Sequence, residues 1–151
     1  MRLSGHVICT LTVSGLVYFF LKSAAAFFVS LAAGIFIDID HVFDYYVQRG
    51  ITLNPADIYS WCNDIKYDLI ILLFHSLELL FLLWAAVFLF DLGIIWFSLA
   101  IGLTQHMALD VLSNRKKIGV TGYFLLFRMA KGFKKEGIMR DSALLENGRF
   151  S

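Results

Sequence analysis

Four apolar blocks organise the chain: residues 7 to 21 (VICTLTVSGLVYFFL), 24 to 37 (AAAFFVSLAAGIFI), 69 to 90 and 92 to 112. Only Lys22-Ser23 separates the first two, and the second two meet near Asp91-Leu92-Gly93, so each pair reads as a helical hairpin. A bilayer core asks for about 20 apolar residues. The later blocks reach that length, and the earlier ones approach it once flanking residues join them, giving spans over 6–21, 24–39, 69–90 and 92–112. The pattern predicts an all-α integral membrane protein of four transmembrane helices arranged as two hairpins, in a single domain over 1–151. One unbroken helix from 7 to 39 is the alternative, with Lys22 snorkelling to water. A cleaved signal peptide is another reading of Arg2, the apolar run and Ser23-Ala24-Ala25-Ala26, but His6 inside the segment and the later spans argue for retention.

Composition agrees. With 59% hydrophobic and 16% aromatic residues, one proline in 151 positions and a mean hydropathy of +0.73, the chain lies outside the range of soluble domains. Two cysteines, Cys9 and Cys62, are too few to frame a disulfide scaffold. The net charge of +1 conceals an asymmetry. With four spans, every Lys and Arg except Lys22 falls on one side, which the positive-inside rule makes cytoplasmic, together with both termini. The orientation expected is that of a bacterial-type inner (plasma) membrane protein.

The chain has four histidines, and all fall at that same end of their spans. His6 opens the first span and His41 closes the second. His75 lies about two turns into the third, and His106 about two turns before the end of the fourth. At 1.5 Å per residue, His75 and His106 sit roughly 9 Å inside the boundary. The unbroken helix would hold His6 and His41 some 50 Å apart, so convergence of the imidazoles favours the hairpin.

Carboxylates accompany them. His106 and Asp110 are four apart on one helix face, and His75 and Glu78 are three apart. The stretch IFIDIDHVFDYY at 35–46 brings Asp38, Asp40, His41 and Asp44 together, with Ser30, Gly34, Asp38 and His41 forming a small or polar stripe. Ionisable groups in a bilayer cost several kcal/mol each unless paired or coordinated. Imidazole with carboxylate is a ligand mixture for zinc, manganese or iron. His6, Asp38, Asp40, His41, His75, His106 and Asp110 are the candidate ligands for one or two divalent ions, most simply zinc. Asp38 or Glu78, whichever is not a ligand, is the candidate proton acceptor. Asp44, Asp57, Asp64 and Asp68 read as solvated loop charges.

An early His, Asp38-Ile39-Asp40-His41 after the second apolar block, His75-Ser76 opening the third, and His106 with Asp110 near the end of the fourth together resemble the YdjM-like membrane-bound metal-dependent hydrolases. The matching pieces run from residue 6 to 110. The chain departs from that family at Ile37, where a proline is common, and at Ile71-Leu72, where a His-Arg is common. The resemblance implies phosphoester hydrolysis, with a lipid or lipid-linked substrate such as a phospholipid or polyprenyl phosphate presented at headgroup depth. A small metal or proton transporter using the same cluster is the competing class. A structural or assembly protein whose cluster only ties helices together is a third. No glycine-rich phosphate loop, G-x-S-x-G elbow or nucleic-acid motif is present.

The remaining segments read as follows. Residues 47–68 form a polar loop with a short helix starting at Pro55, capped by Asn54, and Tyr59 and Trp61 suit a membrane interface. Residues 122–136, rich in aromatic and lysine residues, predict an amphipathic helix on an anionic surface. Residues 137–151 read as a frayed tail.

Overall fold

The computed structural model describes residues 3–52, 54–63 and 66–141. The expectations for Asp64 and for the tail over 142–151 lie outside them. The described chain is helical: α1 Leu3–Leu21, α2 Ala24–Phe36, α3 Ile39–Arg49, α4 Pro55–Asn63, α5 Leu77–Leu89, α6 Gly93–Asn114, a 3-10 turn Val120–Tyr123, α7 Leu125–Ala130 and α8 Lys135–Ile138. Two stretches, Ala24–Arg49 and Gly93–Asn114, are long and apolar enough to cross a membrane. The chain divides into two compact units, one of Met1–Ile37 with Leu77–Ser113 and one of Asp38–Ser76 with Asn114–Ser151.

The first unit consists of two helical hairpins, α1 with α2 and α5 with α6, the second of them shorter than the expected 69–90 and 92–112 because α5 starts at Leu77. Between α1 and α2, Lys22 takes a left-handed φ of 50° and Ser23 caps α2 by accepting the Ala26 amide on its hydroxyl, which rules out the unbroken helix. Between α5 and α6, Asp91 and Gly93 supply the positive φ values of the turn. Trp84 on α5 holds α6 by donating its indole N–H to the Thr104 hydroxyl at 2.9 Å and packing edge-on to Phe97.

Inside this unit the helices meet through small and polar side chains. Thr10 of α1 donates to Gln105 of α6 at 2.9 Å, and Ser14 of α1 to Ser30 of α2 at 3.2 Å. A methyl group on Gly102 would collide with the Ser30 carbonyl, so the glycine sets the distance between α6 and α2. Thr10, Ser14, Ser30 and Ser98 are all buried, while Phe20, Phe28, Phe81 and Leu89 point outward and stay mostly exposed. Polar groups face in and large apolar groups face out, the reverse of a water-soluble helical bundle.

The second unit is built differently from the sequence expectation. The third apolar block does not form a helix over 69–90; α5 begins only at Leu77, and residues 68–75 run as irregular backbone. The cause is α3, where Asp40, Asp44 and Gln48 stand one helical turn apart on one face. Gln48 Oε1 accepts the amides of Asp68 and Leu69, Asp44 accepts those of Ile71 and Leu72, and Asp40 Oδ2 accepts those of Phe74 and His75. Six amides are thereby taken from a helical ladder and given to side chains. Leu72, at φ 40°, makes the turn between the last two rungs. Asp44 is therefore buried and spent on backbone, not a solvated loop charge. Asp57 is exposed, and exposed Asp68 pairs with Lys135.

The C-terminal segment closes this unit. No continuous amphipathic helix spans 122–136: the 3-10 turn, α7 and α8 succeed one another, with Gly132 and Phe133 turning at positive φ. Ile70 donates its amide to the Phe133 carbonyl, and Ile138 and Met139 bury with Ile70 against Tyr67, Leu72, Ile118 and Phe127. Ile138 and Met139 are thus packed in place, not frayed, and Arg140 donates its amide to the Lys117 carbonyl. Asn54 caps α4 by accepting the Ala56 amide, as expected. Tyr59 is exposed, but Trp61 is buried between the rings of Tyr45 and Tyr67 and offers no interfacial anchor.

Candidate metal centre

In the first unit, residues 100 positions apart converge. His6 comes from the first turn of α1, and His106 and Asp110 from successive turns of α6; all three are buried. One oxygen of Asp110 faces each imidazole: His6 Nε2 lies 3.3 Å from Oδ1 and His106 Nε2 3.5 Å from Oδ2. The two rings stack with centroids 4.6 Å apart. One ligand atom from each residue falls within 4.8 Å of the others, a spacing that could hold a metal ion.

The state of His106 follows from its other nitrogen. Nδ1 lies 2.8 Å from the Gly34 carbonyl oxygen, and since a carbonyl can only accept, Nδ1 carries the hydrogen. In the neutral ring, Nε2 then presents a lone pair toward Asp110 Oδ2. Two acceptors facing one another require a proton or a cation between them. A backbone carbonyl fixing the distal N–H is the usual support of a metal-bound imidazole. His6 adds a second sign, because its Nδ1 is buried with no hydrogen-bond partner among the described residues.

The second unit gathers Asp38, Asp40, His41 and His75. Asp38 lies at the start of α3 and His75 at the last rung of the side-chain ladder. Asp40 Oδ2, besides holding the Phe74 and His75 amides, lies 3.3 Å from His75 Nδ1. That contact orients the ring with Nε2 toward Asp38 Oδ1, 3.5 Å away. His41 Nε2 stands 4.0 Å from the same oxygen, and the two rings are 5.1 Å apart. Arg128 of α7, fully buried, donates from Nη2 to the His75 carbonyl and brings a positive charge near Asp44.

The structure thus brings together His6, His106 and Asp110 in one unit and Asp38, Asp40, His41 and His75 in the other. His75 and Glu78 do not share a helix face as their spacing predicts, because His75 precedes α5 while Glu78 is half-buried in its first turn. Sequence reasoning missed Arg128 and the role of Gly34. A basic residue within an apolar hexamer, LLFRMA, is the one signal for the first. The second acts through a backbone carbonyl and leaves no trace in residue type. Comparison with protein-family models, with curated proteins and with solved structures yields no match to this chain.

Proposed function

We propose that this chain is a membrane-embedded, metal-dependent hydrolase that cleaves a phosphoester of a lipid or lipid-linked substrate at the cytoplasmic interface. The observation that carries the metal is the Gly34-held tautomer of His106, which turns Nε2 toward Asp110 beside His6. The reaction class rests on the likeness of the His and Asp spacing to the YdjM-like hydrolases.

His6, His106 and Asp110 would hold one divalent ion, and zinc suits their chemistry. Such an ion supplies a Lewis acid for the phosphoryl oxygen and eases deprotonation of water. Glu78, half-buried in the same unit, and Asp38, about a third exposed and facing His75 and His41 in the other, are the two candidate general bases. Asp40 keeps His75 in the tautomer that leaves Nε2 for Asp38. The exposed phenylalanines and leucines of α1, α2 and α5 suit acyl chains, and four spans in two hairpins accommodate them.

To test the reading, the detergent-purified chain is assayed for bound metal by mass spectrometry and for release of headgroup or phosphate from phospholipid and polyprenyl phosphate. Wild type is expected to carry metal and turn over one of these, and His106→Ala and Asp110→Ala to lose both. Unchanged metal content in both variants ends the proposal.

A second reading, a small metal or proton transporter, draws support from Thr10, Ser14, Ser30 and Ser98, buried hydroxyls that carry the polar interior of the first unit beyond His6. Metal or proton flux into proteoliposomes without lipid turnover would select it.

A further inference from the structure

The polarity of α3 is inverted with respect to water. Its packed face carries Asp40 and Asp44, buried, and Gln48, while Ile39, Phe43 and Val47, one residue earlier at the same spacing, are 58%, 50% and 53% exposed. The segment that the packed face grips is itself apolar, and its Phe74 is 61% exposed. A helix bathed in water turns the opposite way, with carboxylates out and phenylalanine in.

The backbone of residues 68–75 makes the same point independently. The amides of Asp68, Leu69, Ile71, Leu72, Phe74 and His75 go to Gln48, Asp44 and Asp40, and that of Ile70 to Phe133. The Leu69 carbonyl accepts from Gln48 and the His75 carbonyl from Arg128. Irregular backbone in water needs no such provision, because water supplies the missing partners. In hydrocarbon each unmet group costs several kcal/mol, and non-helical backbone survives only where protein satisfies it.

We propose that lipid acyl chains cover Ile39, Phe43, Val47 and Phe74, so that residues 68–75 form a non-helical segment embedded in the cytoplasmic leaflet of an anionic bilayer. This rests on the reading of the chain as a membrane protein and not on its chemistry. Composition favours lipid over a protein partner. The apolar candidate span Ala24–Arg49 takes in all of α3, so Ile39, Phe43 and Val47 belong to a stretch long and apolar enough to enter a bilayer. Charge agrees, since exposed Arg49, Lys131 and Lys134 in this unit suit the anionic headgroups that bound such a leaflet.

The test uses spin labels on the full chain in vesicles of phosphatidylglycerol and phosphatidylethanolamine, with Cys9 and Cys62 replaced by serine. Single labels are introduced by Phe43→Cys, Phe74→Cys, Phe20→Cys and Asp57→Cys, all at exposed positions. Relaxation by oxygen, which concentrates in acyl chains, is compared with relaxation by a water-soluble nickel chelate. Oxygen is expected to dominate at Phe43 and Phe74 as at Phe20, with the ratio inverted at Asp57. Carbene labelling of the unsubstituted chain by a lipid-soluble diazirine is expected to mark peptides containing Phe43 and Phe74. Nickel dominating at Phe43 and Phe74, with Phe20 still in lipid, overturns the proposal and leaves the membrane reading intact. Restricted access of both reagents at Phe43 and Phe74 means a protein partner and also overturns it. Nickel dominating at Phe20 as well defeats the proposal together with the membrane reading.

Discussion

The Gly34 carbonyl lies 2.8 Å from His106 Nδ1, and the same glycine has no room for a side chain: an added Cβ would come within 2.6 Å of Thr10 Cγ2 and 3.2 Å of Gln105 Oε1. The absence of a side chain and the carbonyl contact are one device, because only glycine lets α2 approach closely enough for its backbone to reach the imidazole. Gly34→Ala is expected to destabilise the first unit by about 1 to 3 kcal/mol through overpacking. It is also expected to weaken metal binding by about 10- to 100-fold, the effect typical of losing a support behind a ligand. Thermal unfolding in detergent and metal titration report the two effects separately.

Asp110 carries the charge of its cluster. Asp110→Asn keeps the volume and one acceptor but removes the negative charge between the two rings, and is expected to lower metal occupancy more than Glu136→Gln, a surface control. An ion held by the folded chain under the proposed function would stabilise it, so chelation should lower the midpoint of thermal unfolding. Ligand held at about 100 times its dissociation constant contributes about 2.7 kcal/mol. A midpoint indifferent to chelator in wild type contradicts this.

Asp44 is spent on backbone. Asp44→Ala leaves the amides of Ile71 and Leu72, both half-buried, without their acceptor, at about 1 kcal/mol for each. Hydrogen exchange should accelerate at these two amides and, through the shared segment, at Phe74 and His75. Asp44→Asn retains one oxygen and should show the smaller effect. Metal bound by His6, His106 and Asp110 should be little changed in either.

Burial, with help from the charges of Asp44 and Asp38, pushes the Cys62 thiol up to about 11. Below that pH the neutral thiol prevails, so alkylation by iodoacetamide should be slow at pH 8 and rise steeply toward pH 11. A rate at pH 8 equal to that of a free thiol contradicts the burial. Burial likewise raises the Tyr67 hydroxyl to about 12. Both groups shed protons earlier in the unfolded chain, near 9 and 10. Their contribution to stability is therefore complete below pH 9 and is lost as pH rises through 9 to 12. An alkaline titration of unfolding, compared between wild type and Cys62→Ser, isolates the thiol's share.

Local pattern carried much of this molecule. Runs of apolar residues broken by Lys22-Ser23 and Asp91-Leu92-Gly93 determined both hairpins, since a helix ends where its neighbours supply a cap or a left-handed turn. The i,i+4 spacing put His106 and Asp110 on one face, and small residues at Ser30 and Gly34 marked the face that packs. Residues far apart in number were decided by tertiary structure alone. Nothing near His6 says that it meets Asp110, and nothing in LIILLFHS says that it will not be helical. An aspartate in an apolar stretch reads the same whether a cation or a backbone N–H will meet it. Asp40 and Asp44 met amides because α3 and residues 68–75 lie side by side, and a side chain's partner is set by that distant packing rather than by its own neighbours.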